Sequence, residues 1–316
     1  MNRVLAALAV VAIGGSSSIA AEDAGSTRGW IPSKWGGDDV RGAVNRLNAE
    51  TTLAALQLVR SGVIYDLSHP LESGIPAIAG REFELTVNSG GPAGENQVVY
   101  HDDTVVSDLG HVGTHLDALG HVGTRVGERD LYFNGREASE FSRSSGLLSL
   151  AIHQVGPIIT RGVLLDIASQ KGVDRLEVGY VITASDLERA ARASGVEVLP
   201  GDAVMIRTGY GALWMTDNAT YSRNYPGVGM EATDWLAERG AVVVGSDNLS
   251  VNVARETPER PWELHHRFIA HHGIYLLENA NLESLARDGI AEFAFVFLPL
   301  NIKGGTGSPG TPIAIR

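Results

Sequence analysis

The sequence predicts a mixed α and β domain, and three observations carry that prediction. Short apolar runs of strand length recur along the chain, the first half is the richer in strand-like segments, and in the second half such runs alternate with helical segments. With 316 residues and 44% hydrophobic content there is material for one large or two modest globular domains with a substantial core. No internal repeat or low-complexity linker divides the chain, so one domain over 21–316, with an N-terminal arm, is expected.

Taken in order, the chain opens with Met1-Asn-Arg3, an apolar stretch from Val4 to Ile13, and small residues through Ser18-Ile-Ala20. A charged start, a short apolar segment and a small-residue cleavage site make up a secretory signal peptide, so 1–20 is expected to be removed and the protein to be periplasmic or secreted. The apolar run falls short of the about 20 residues a span needs. No stable membrane anchor is therefore expected.

Glu22 to Asp39, rich in Gly, Ser, Pro and Trp, reads as an irregular arm. A helix is expected over Ala49 to Arg60, with leucines at 53, 56 and 58 and with Thr51 or Thr52 as its cap. Gly62 to Ser68 reads as a short buried strand before a turn at His69-Pro70, and Glu82 to Asn88 as a half-buried strand. Ser89 to Glu95, with three glycines and a proline, reads as loop, and Gln97 to Val106 as a strand that delivers the chain to His111. Further on, strands are expected at Gly162–Ile167, Asp202–Arg207 and Ala241–Ser246, and helices at Ala184–Ala193 and Glu231–Arg239.

Composition narrows the function. The chain carries 37 acidic against 25 basic residues, a formal charge of -12, and has no long basic run, so nucleic acid is not an expected partner. Cysteine is absent. Neither a disulfide framework nor a thiolate metal site is open to it, and any metal must be held by His, Asp or Glu, which suits zinc or manganese.

The segment His111-Val-Gly-Thr-His115-Leu-Asp117-Ala-Leu-Gly-His121 places three of the chain's 10 histidines within eleven positions. Gly110, Gly113 and Thr114 argue against a helix there. On extended chain His115 and Asp117 point to one side, and a bend at Gly113 brings His111 alongside. Two imidazoles and a carboxylate then converge on one divalent cation and leave positions open for water or substrate. His121 follows as a further ligand or a proton-transfer group. A second cluster, Glu263-Leu-His265-His266-Arg-Phe-Ile-Ala-His271-His272, spans a helix and its last turn, followed by a strand, Ile274 to Glu278. Spacing alone does not choose among those four histidines, some of which suit a helix C-terminus simply through its dipole.

The pattern His111-x-Gly113-Thr114-His115-x-Asp117-x-x-x-His121 resembles the signature of the bacterial cyclase family, which contains kynurenine formamidases and isatin hydrolases. Weaker similarity runs through Trp35-Gly36, Asp66-Leu-Ser68, Gly201-Asp202, Arg207-Thr-Gly209, Gly245-Ser-Asp247 and Leu298 to Pro309. The resemblance implies a swivelling β/β/α fold, often in homo-oligomers. It implies one or two divalent ions, Zn or Mn, on His111, His115 and Asp117, the second shared by Asp117 with a later histidine and glutamate. The family's separation of twelve between that pair points to His266 and Glu278, with His265 one residue away. His121 is then the acid and base in hydrolysis of a small carbonyl compound: a formamide, cyclic amide or lactone. Leu119 stands where many formamidases have proline, as in the larger branch of the family.

Rival readings have less behind them. No Gly-x-Ser-x-Gly elbow occurs, and Gly305-Thr-Gly307-Ser-Pro-Gly310 carries a proline and precedes no helix, so it reads as a loop that closes a pocket. The reading from another class is an exported metal- or small-molecule-binding protein that uses the same ligands without catalysis.

Overall fold

A computed structural model describes residues 30–78, 80–254 and 260–316; the expected leader over 1–20 lies outside them. At the centre of a nine-stranded sheet, Ile158–Asp166, Ala203–Arg207, Val243–Ser246 and Tyr275–Glu278 lie side by side in chain order and run parallel. The last three are buried at every residue. A parallel strand covered on both faces has no polar face to alternate with, which is why Ala203-Val-Met-Ile and Val243-Val read as unbroken apolar runs.

The crossovers between these strands carry helices Ala184–Ser194 and Met230–Glu238 and the helical segment that begins at Glu263. Thr183 caps the first of them: its hydroxyl accepts from the Asp186 amide at 3.2 Å, while the Asp186 carboxylate accepts from the Thr183 amide at 3.0 Å. Gly195, at φ +67°, ends it in the left-handed conformation.

From one edge to the other the sheet runs Ile64–Asp66, Ile313–Ile315, Glu292–Phe297, the four parallel strands, His115–Asp117 and Gly307–Pro309. Gly307–Pro309 lies at one edge, yet after only Gly310 to Pro312 the chain re-enters next to the opposite edge. Four residue steps reach at most about 14 Å, whereas seven strand spacings in a flat sheet would cover roughly 34 Å. The sheet must therefore curl until its ends approach each other, and the His115–Asp117 strand sits beside that seam.

Four local expectations are corrected. The helix runs Ala49–Leu56, and its cap is Asn48, whose side chain accepts from the Glu50 and Thr51 amides, while the Thr51 hydroxyl accepts the Asn48 amide in return. The short strand Ile64–Asp66 is an edge strand, with Ile64 62% exposed, and is not buried. Ser89 to Glu95 is not all loop: strands Phe83–Ala93 and Val98–Ser107 form one long hairpin, and Gly90 leaves room for the Tyr100 ring of the facing strand. Most residues of this arm are exposed, so its strands are not half-buried.

Candidate metal centre

Gly113 takes φ +60°, a conformation that costs little only without a Cβ, and the chain turns back there between the short helical turn Leu109–His111 and the strand His115–Asp117. The turn brings the His111 Nδ1 to 2.8 Å from Asp117 Oδ1. The other ring nitrogen of His111, Nε2, is 2.9 Å from the Thr306 hydroxyl. His115 and Asp117, two apart on a strand, face the same side as expected.

The neighbouring strand supplies the next ligand-type group. His115 pairs directly with Glu278 across the antiparallel ladder, and His115 Nε2 lies 3.5 Å from Glu278 Oε2 and 3.7 Å from Asp117 Oδ1. His265 enters from the short helix Glu263–His266, its Nε2 3.1 Å from Glu278 Oε1 and 3.7 Å from Asp117 Oδ2. Two sets of potential ligands result, His111 with His115 and Asp117, and Asp117 with His265 and Glu278, sharing one carboxylate.

The family resemblance pointed to His266, with His265 one residue away, and it is His265 that the structure brings to the carboxylates. His266 lines the cavity outside and lies edge-on to His271, with ring centres 4.6 Å apart. The cause is helical rotation: neighbouring residues differ by about 100° around the axis, so one of two adjacent histidines turns toward the carboxylates and the other does not.

Whether these side chains suit a cation can be read from their hydrogen bonds. His115 Nδ1 must donate to the Gly113 carbonyl at 2.8 Å, since a carbonyl only accepts, which leaves the lone pair on Nε2 facing two carboxylates. That nitrogen is buried without a hydrogen-bond partner, and so is Asp117 Oδ2. Electron-pair donors turned toward one another in a buried site repel unless a cation lies among them. The donor set fits a divalent metal.

Supporting residues hold this geometry. The Gly113 carbonyl also accepts from Asn279 Nδ2 at 2.8 Å, Asn279 Oδ1 accepts from the Tyr221 hydroxyl at 2.8 Å, and the Thr114 hydroxyl donates to the Asn279 carbonyl at 2.6 Å. The His115 tautomer is thereby fixed from outside the cluster. Neither Asn279 nor Thr306 was singled out in the sequence, although Asn279 follows Glu278 directly; Thr306 precedes Gly307–Pro309, part of a stretch expected to be loop that instead forms an edge strand against His115–Asp117.

His121 stacks on His111 with ring centres 3.9 Å apart, and its Nε2 lies 3.9 Å from Asp117 Oδ1. Burial pushes its imidazole down to about 3 despite the Asp117 charge, so the ring is neutral near pH 7. Burial likewise lowers His115. Burial alone would raise Asp117, but the surrounding imidazoles, His121 first and then the hydrogen bond from His111, hold it well below the ordinary range. Beyond His121 opens a cavity of about 870 Å³, lined among others by Arg81, Tyr132, Trp262, His266 and Arg267.

The Cyclase family model matches residues 65–253, more than half of the chain, and includes the whole His111 to His121 segment. This chain belongs to the cyclase family. A solved cyclase structure shares 31% identity and superposes with a TM-score of 0.81, over 90% of this chain and 98% of its own. The mixed α/β fold is that of the cyclase family. Two more distant structures share the fold. Isatin hydrolase A from Ralstonia solanacearum is 20% identical at a TM-score of 0.60, over 85% of this chain and 98% of that one. A potential metal-dependent hydrolase with cyclase activity is 18% identical at 0.51, over 80% and 98%. No protein of curated function matches the chain.

Proposed function

We propose that this cyclase-family protein is a metal-dependent hydrolase that opens the C–N or C–O bond of a small formamide, cyclic amide or lactone. The observation that carries the reading is the pair of ligand sets sharing Asp117, with buried electron pairs on His115 and Asp117 turned inward beside an open cavity. His111, His115 and Asp117 would hold one divalent ion, zinc or manganese, and Asp117, His265 and Glu278 a second. A bound ion supplies Lewis acidity and lowers the pKa of water.

The chain's own residues do the rest. His121, neutral and at the cavity wall, takes a proton from the attacking water and returns it to the leaving nitrogen or oxygen. Its stacking on His111 fixes the ring plane, and Thr306 orients His111 from behind. Gly113 and Asn279 keep the His115 lone pair turned into the site. The cavity favours this reading over a binding protein, because a closed four-ligand site would leave no approach for substrate.

The test is metal analysis of purified protein together with turnover of a panel of formamides, lactams and lactones, with and without added zinc or manganese. Hydrolysis of at least one class, lost on chelation and restored by metal, is expected. Bound metal with no hydrolysis in any class would favour the binding reading, and neither metal nor hydrolysis would sink both.

The reading extends to assembly and location. The hairpin Phe83–Ser107 exposes Val87, Val99 and Val106 by 56%, 72% and 60%, apolar surface on a two-stranded arm that needs cover, and this supports a homo-oligomer. Light scattering of wild type and of an arm-shortened variant tests it. The 1–20 pattern supports export, which N-terminal sequencing of periplasmic and secreted fractions tests. No helix of the described residues is long and apolar enough to cross a membrane.

A further inference from the structure

Three arginines line the cavity beside His121, in a chain whose formal charge is -12. Two are already neutralised: Arg267 Nε lies 2.8 Å from Asp234 Oδ1, and Arg260 Nη1 lies 2.6 Å from Glu263 Oε1. Arg81 differs. Among the described residues no carboxylate lies within 4.0 Å of its guanidinium, and its one side-chain hydrogen bond is a long 3.4 Å contact from Nη1 to the His111 carbonyl. That contact places the charge next to the metal-centre backbone, while the side chain is half-buried.

A partly buried guanidinium loses hydration and recovers it best from an anion, and its planar fork fits a carboxylate through two parallel hydrogen bonds. Nothing in the described protein supplies that anion. Trp262, Tyr132 and Val122 give the same cavity a flat apolar lining. We infer that Arg81 is a specificity-determining residue that holds a carboxylate on the substrate, so that the preferred compounds are aromatic amides or lactones bearing a carboxylate near the bond to be broken. This rests on the hydrolase reading above and names its substrate class.

The experiment uses the metal-loaded full chain and three matched pairs: an N-formylaniline, a benzo-fused lactam and a benzo-fused lactone, each with and without a carboxylate ortho to the scissile nitrogen or oxygen. In the pair that is hydrolysed, kcat/KM should favour the carboxylate member by about 10- to 100-fold, mostly through KM. Arg81→Met should bring that ratio close to one, and Arg81→Lys, which keeps the charge and loses the fork, should fall between. A merely structural role for Arg81 would lower both members alike and leave the ratio unchanged, which would overturn the inference, as would a wild type without preference. Calorimetric binding of benzoate to metal-free protein tests the contact without turnover. Binding weakened about 10-fold or more in Arg81→Met is expected, and equal binding would refute it even if no compound in the panel reacted.

Discussion

Replacing His265 and His266 by alanine, one at a time, separates the geometry of the centre from the reading of its sequence. His265 is 1% exposed and lies between Glu278 at 3.1 Å and Asp117 at 3.7 Å, whereas His266 faces the cavity. Truncating a buried side chain of this size costs about 3 kcal/mol, or roughly 6 °C in Tm for a large domain. His266→Ala should cost under about 1 kcal/mol. The difference in metal linkage is sharper. At a free metal concentration of about 100 times Kd, an intact site adds about 2.7 kcal/mol of stability. If His265 is a ligand, its loss should weaken the second ion by at least the about 100-fold that loss of a supporting partner can cause. The same metal concentration would then add only about 0.4 kcal/mol from that ion. Thermal unfolding of chelated and zinc- or manganese-loaded proteins, with bound metal counted by elemental analysis, reads both effects. Full metal content in His265→Ala together with loss in His266→Ala would refute the assignment.

His121→Ala should lower kcat by about 10²- to 10⁴-fold while bound metal is unchanged, and near-normal turnover would remove His121 from the proton path. Gly113→Ala would force a Cβ into the left-handed region and against the Leu71 side chain; denaturant unfolding should show a loss of about 2–4 kcal/mol, with weaker metal binding as His111 moves away from Asp117. Burial pushes the Asp202 carboxyl up to about 6 in spite of the Leu199 amide and the Arg161 ion pair. Its folded pKa thus exceeds the unfolded value near 3.8, so the stability it contributes is full below about pH 4 and is lost as pH rises through 6. Relative to wild type, Asp202→Asn should therefore gain roughly 2–3 kcal/mol between pH 4 and 7 in urea unfolding, and a pH-independent difference would contradict the shift.

What could be read from the sequence was what neighbouring residues decide. The turn at Gly113, the shared side of His115 and Asp117, and the helix beginning after Thr183 each depend on a few consecutive residues, and each stands in the structure. The apolar runs of the central strands were legible because burial on both faces removes alternation. The hairpin was misread because its signal is a relation between strands: Gly90 and Gly91 look like loop until Tyr100 is seen lying across Gly90. Arg81 and Thr306 were invisible for the same reason, since each meets the centre from a distant part of the chain.

The choice between His265 and His266 shows where such reading stops. A separation of twelve from Glu278 counts residues, but a ligand is placed by the angle at which it leaves the helix. Here Glu263–His266 is α-helical and Arg267–His271 is a π turn, whose i→i+5 bonds return side chains five apart to the same side. His266 and His271 are therefore brought together at the cavity, and His265, one position earlier, points to Asp117 and Glu278. A regular α-helix through 271 would turn the residue five positions on by roughly 140° and separate that pair. The π turn lets one short segment serve two surfaces, with His265 facing the carboxylates and His266 and His271 facing the cavity where substrate would enter.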